Sequence, residues 1–185
     1  MYRNNYNLYP NVKVNHELYE PVSEEIMHFD HDNPNYKVKV TTWKCKDKTK
    51  HYWGNMSAQI TDQNNKVCAE FDRNYYSLHG AFVTQNNTDY FITSSDYQCI
   101  TIINLKTGEV KSYTDVDDIK HGCGFCPIYF DWDEGTLYVE GCVWAFPWET
   151  MKCSNIDLEN PIPAFNAAEW IDEDGEVHTA ESDNE

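Results

Sequence analysis

From Tyr36 onward, apolar and polar residues alternate over short stretches. In Tyr36–Trp43 (YKVKVTTW), Tyr36, Val38, Val40 and Thr42 fall on one side and Lys37 and Lys39 on the other. That is the period of a half-buried strand. Strand-like runs then recur in pairs around polar turns. Ser57–Thr61 and Lys66–Phe71 flank Asp62–Asn65, and Gly80–Thr84 and Tyr90–Thr93 flank Gln85–Asp89. Cys99–Asn104 and Glu109–Tyr113 flank a turn ending in Gly108, and Phe125–Phe130 and Thr136–Glu140 flank Asp131–Gly135. No amphipathic helical period lies among them, so the spacing predicts an all-β domain of antiparallel hairpins over residues 36–171. A small sandwich and a partial, propeller-like meander both fit, with at most short helices near the termini. Residues 1–35, broken by Pro10, Pro21 and Pro34, read as irregular, with one helical turn expected at Ser23–Met27. A short helix is expected at Ala164–Ile171. Residues 172–185 form an acidic tail with little apolar content and are expected to be mobile.

A repeat runs through the second half. His121-Gly122 repeats His79-Gly80 at an offset of 42, and each pair precedes an aromatic strand, a polar turn and another strand. The segment Tyr90–Ser95 followed by Ile102–Val110, and the segment Phe130–Gly141, resemble blades of a β-propeller, the repeat family that includes WD repeats. The period is the expected one of about 40–45 residues. The resemblance covers residues 79–160 and implies a scaffold, mostly for binding proteins, without implying any chemistry. Cys142–Trp148 departs from a blade's outer hairpin, because Pro147 cannot donate to a strand ladder.

Charge narrows the functional classes. The chain carries 31 acidic against 14 basic residues, a formal net charge of −17. Such a chain repels nucleic acid and anionic membrane and attracts basic protein surfaces. No apolar run approaches the roughly 18 residues that a membrane span needs, and the N-terminal residues have no apolar leader-like stretch. The expectation is a cytoplasmic protein with reduced thiols.

Two constellations carry possible chemistry. Cys123-Gly124-Phe125-Cys126 is a C-x-x-C, but Pro127–Phe130 continues as strand, so the helix start that activates a redox dithiol is missing. His121, Cys123, Cys126 and Cys142 supply the nitrogen and sulfur donors that zinc takes in tetrahedral sites. Against this, Cys126 and Cys142 are read first as small buried hydrophobes on paired strands, as free cysteine usually is. The chain has no G-x-S-x-G, H-E-x-x-H or phosphate-binding glycine loop. The favoured reading is a non-enzymatic interaction module without a cofactor. In its sharpest form it is an inhibitor, of anti-defence or immunity type, that imitates DNA to a basic, nucleic-acid-binding partner. Asp115, Asp117, Asp118, Asp131, Asp133 and Glu134 are the expected charged contacts, with Trp144 and Trp148 as aromatic anchors. The alternatives are a zinc- or thiol-dependent enzyme on the HGCGFC stretch and a plain repeat-type scaffold.

Overall fold

The computed structural model describes residues 4–47, 49, 54–121, 124–143 and 147–179, without the side chains of Asp118 and His121. It is built of three antiparallel sheets, as the alternation predicts. The chain opens with β1 (Tyr6–Tyr9), which joins a sheet formed later. β2 (Tyr19–Met27), β3 (Tyr36–Cys45), β4 (Asn55–Asp62) and β5 (Val67–Arg73) then pair in chain order as the first sheet. β6 (Gly80–Gln85), β7 (Thr88–Thr93), β8 (Ile100–Asn104) and β9 (Glu109–Asp115) form the middle sheet, with β1 on the outer side of β9. The short α1 (Val116–His121) leads to the third sheet: β10 (Cys126–Asp133), β11 (Thr136–Cys142) and β12 (Trp148–Cys153). After α2 (Ile162–Asn166) it is completed by β13 (Glu169–Ile171) and β14 (Val177–Thr179).

Which residues are apolar explains how the sheets stack. In the first sheet Val38, Val40, Ile60 and Phe71 turn inward and pack with Phe91 and Ile103 of the middle sheet. From the opposite face of that same middle sheet, Tyr90, Ile92, Ile100 and Ile102 pack with Leu137, Val139, Met151 and Cys153 of the third. The middle sheet is therefore covered on both faces, which is why β7 and β8 read as near-continuous apolar runs. The outer faces of the first and third sheets stay polar. Each fully buried aliphatic side chain contributes about 1.5–3 kcal/mol.

Turn chemistry fixes the hairpins. Asn86 and Asn87, the two residues between β6 and β7, have φ of 51° and 59°. That is the double positive φ of the hairpin turn matching strand twist, which asparagine tolerates. Gly108 has φ of 75°, and a Cβ there would come within 2.8 Å of the Cys68 carbonyl oxygen, so glycine is required twice over.

Four local expectations are corrected. Ser23–Met27 is the second half of β2, with Glu25 opposite Val40 and Met27 opposite Val38. Pairing with β3 outweighs a local helical turn that has no apolar face to bury. Residues 1–35 are thus not irregular throughout, since they hold β1 and β2. The helix expected at Ala164–Ile171 is α2 alone, and Trp170 instead lies in β13 opposite Met151. Of the acidic tail, residues 172–179 fold as a hairpin turn and β14, where Asp172 Oδ1 accepts the amides of Asp174 and Glu176 at 3.0 and 2.9 Å. Residues 180–185 lie outside the described residues.

A candidate interaction face on the third sheet

Strand phase decides which side chains reach solvent here. In β10 and β11, Phe130, Leu137 and Val139 point to the core, so their neighbours point out. The hairpin register carries Tyr129 opposite Glu140, and a register shift between Pro127 and Tyr129 takes up one extra residue before Pro127 pairs with Gly141. Proline suits the bulge because it has no amide to donate. Glycine at 141 lets the strands close there, since any Cβ would collide with the Cys126 carbonyl. The outward result is a checkerboard: Tyr129 opposite Glu140, and Asp131 opposite Tyr138. Thr150 of β12 follows beside Glu140. Asp133 and Glu134 extend the acidic edge at the turn, where Glu134 has a positive φ of 43°.

A second wall faces this checkerboard. Met27–His31 runs on from β2, and the His31 carbonyl accepts the Phe82 amide at 3.0 Å, which ties the segment to the edge of the middle sheet. His31 Nε2 lies 2.9 Å from Asp131 Oδ1. Leu78, His79 and Gly80 form the floor, with the His79 ring edge-on to Tyr129 at 5.1 Å. Together they enclose a cleft of about 680 Å³ to which His28, Asp30, Asp131 and Glu140 contribute and, among the described residues, no lysine or arginine does. Glu140 has no hydrogen-bond or ion-pair partner among the described residues.

A smaller groove on the outer face of the first sheet differs in one decisive respect, in that its groups satisfy one another. Lys39 pairs with Glu24 at 2.9 Å, Gln59 donates to Glu70 at 2.7 Å, and Asp72 accepts both the Ser57 hydroxyl at 2.6 Å and the Val14 amide at 2.8 Å. On the third sheet, by contrast, Glu140 has no such partner among the described residues.

Burial, and then the charge of Arg73, hold the His79 imidazole below its ordinary value of 6.5. The unfolded chain therefore binds more protons at this residue between that lowered value and 6.5. Stability from His79 is present above that window and falls as pH drops through it. Urea midpoints at pH 7.5 and 5.5 are expected to differ less in His79→Gln than in the parent chain.

The structure brings together Asp131, Asp133 and Glu134 on one hairpin, with Trp148 half-buried on β12 opposite Cys142 on the same face. It takes Asp115 elsewhere. Asp115 is 4% exposed and caps α1, accepting the amides of Asn5 and Asp117 at 2.8 and 2.9 Å. Its charge is thus spent on backbone donors, and the expected surface role is corrected to a helix cap. Asp117 accepts from Asn5 Nδ2 and pairs with Lys120 at 3.0 Å. Trp144 and the side chain of Asp118 lie outside the described residues.

Of the zinc-ligand set, Cys126 and Cys142 are buried cross-strand partners. Burial pushes the Cys126 thiol up to about 11, so it holds its proton at neutral pH. Cys123 and the side chain of His121 lie outside the described residues. Among the described residues, the trio of ligand-type side chains that converges is Asp172, Glu176 and His178. There Asp172 already accepts two amides and sits 2.9 Å from His178 Nε2.

Sequence reasoning missed His28, Asp30, His31, Tyr129, Tyr138 and Glu140. A signal existed for each wall: the dense HFDHD run at 28–32, and the outward phase of Tyr138 and Glu140, which alternate with Leu137 and Val139. Comparison with protein-family models, with curated proteins and with solved structures finds no match.

Proposed function

We propose that this chain is a non-enzymatic acidic interaction module that engages a basic partner protein through the open face of its third sheet. The observation that carries this reading is the cleft beside that face, where Asp30, Asp131 and Glu140 meet two tyrosines without any lysine or arginine among the described residues. The formal net charge of −17 supplies long-range attraction to the same class of partner. A nucleic-acid-binding protein is the partner whose surface best suits closely spaced carboxylates, since duplex DNA carries one charge per roughly 1.7 Å of axis. In that form the module acts as an inhibitor competing with nucleic acid.

The test is salt and charge together. Affinity for a partner captured from the native cell is expected to fall at least about tenfold between 50 and 200 mM salt. Neutralising Asp131, Asp133 and Glu134 to Asn, Asn and Gln is expected to weaken the low-salt complex comparably, and duplex DNA to displace the module. An acidic partner, or salt-insensitive binding, would overturn the proposal.

A second reading, a repeat-type scaffold whose acidity only maintains solubility, draws on the chain-order pairing of strands within each sheet, β2–β5, β6–β9 and β10–β14. That is the connectivity of propeller blades. It predicts that the triple neutralisation leaves partner affinity unchanged.

A further inference from the structure

We propose that the third-sheet cleft receives an arginine side chain, carried on an extended basic segment of the partner protein and seated on Tyr129, Asp131, Tyr138 and Glu140. This rests on the reading of the chain as an acidic interaction module and specifies what that module grips. In the β10–β11 register each carboxylate has a phenol ring directly across the ladder and the other ring two residues along its own strand. Cross-strand neighbours lie about 4.5–5.5 Å apart at Cβ, and alternate residues on a strand about 7 Å apart. A planar cation stacked on either ring therefore reaches a carboxylate with its edge N–H groups.

Guanidinium suits this arrangement in shape and charge. It is flat, always charged, stacks on aromatic faces and donates through a fork that carboxylates accept. An ammonium offers neither the plane nor the fork. The acceptors are available: among the described residues Glu140 has no partner, and the contacts of Asp131, from His31 Nε2 and from the Trp132 amide, fall on Oδ1 rather than Oδ2. Asp30 adds charge from the facing wall. An anion would be repelled, and an apolar ligand would strip water from carboxylates without replacing it. A second copy of this chain is a poor occupant, because it would bring two bodies of charge −17 together through polar faces.

The experiment titrates the full chain with fluorescein-labelled nonapeptides of arginine, of lysine and of citrulline at low salt, reading anisotropy. The arginine peptide is expected to bind several-fold more tightly than the lysine peptide, and the citrulline peptide not to bind. The variant Tyr138→Leu with Glu140→Gln should weaken the arginine complex by about tenfold or more. Asp133→Asn with Glu134→Gln, on the adjacent turn, should weaken it less than about threefold. All four side chains sit on the surface, and unchanged circular dichroism and melting temperature confirm that the variants fold. Equal weakening by both variants, or equal binding of lysine and arginine peptides, overturns the arginine seat while leaving the acidic module intact. Free arginine amide competing as well as the peptide, residue for residue, overturns the protein-segment assignment. Salt-insensitive or absent binding of all peptides overturns both.

Discussion

Replacing Phe91 with alanine is expected to cost about 3–5 kcal/mol, the range for deleting a buried aromatic ring. Phe91 is fully buried in β7. Its ring meets Phe82 at 4.8 Å, Phe29 at 5.0 Å and Phe71 at 6.3 Å. Phe71 belongs to the first sheet and Phe82 to the middle one, so this ring cluster bonds two layers. At about 2–4 °C per kcal/mol for a chain of this size, the melting temperature should fall by roughly 6–20 °C. The variant also touches the cleft. Phe29 lies within the His28–His31 wall, and without Phe91 beneath it that wall keeps its bond to the Phe82 amide but loses an aromatic anchor. Amide exchange at residues 28–31 should accelerate more than exchange at β11, and the arginine-peptide complex should weaken although no contacting residue has changed. Urea denaturation measures the first effect. A loss under about 1.5 kcal/mol would mean that the sheets are joined by something other than these rings.

How much of this was legible depends on the range of the interaction responsible. The paired strands from Tyr36 to Glu140 announced themselves because alternation and turn chemistry act within a few residues, as at Lys37–Lys39 and Asn86-Asn87. β2 did not. Its residues from Glu20 to Glu25 are exposed, so no apolar phase marks them, and only pairing with β3 makes them a strand. The cleft was half legible for the same reason. Asp131 and Asp133 stood out as acids beside a turn. Tyr129 and Glu140 face each other by plain continuation of the hairpin register past Asp131 and Tyr138, whereas His31 reaches Asp131 across a hundred residues of chain. Asp115 shows the reverse error. Read as charge alone, it belonged to the surface; read as the residue before Val116-Asp117, it is a helix cap.

Arg73 is another position where one side chain joins two sheets, and Arg73→Leu is expected to cost about 2–4 kcal/mol. The residue ends β5 and is 5% exposed. Its Nε donates to the Ser77 carbonyl, and its Nη1 donates to the carbonyl and hydroxyl of Ser94 in the middle sheet's β7–β8 connection. The guanidinium also lies 5.7 Å from the centre of the Tyr75 ring, which stacks on Tyr76 at 4.6 Å. Leucine would keep some packing but leave two carbonyls without donors, at about 1–3 kcal/mol each. Lysine tests what the fork itself contributes. An ammonium keeps the charge, yet cannot span both serines in one plane, so Arg73→Lys should fall between the parent and the leucine variant. The pH dependence separates this residue from His79. Burial draws the Arg73 pKa down to about 10, which still leaves it charged in both folded and unfolded chains at any pH well below that value. The loss in Arg73→Leu should therefore be the same at pH 6 and pH 8, whereas the His79 contribution changes below 6.5. Full stability in Arg73→Lys would assign the junction to charge alone. Retention of stability in Arg73→Leu would mean that the two sheets are held at this end by the stacked tyrosines, with the guanidinium merely filling space beneath them.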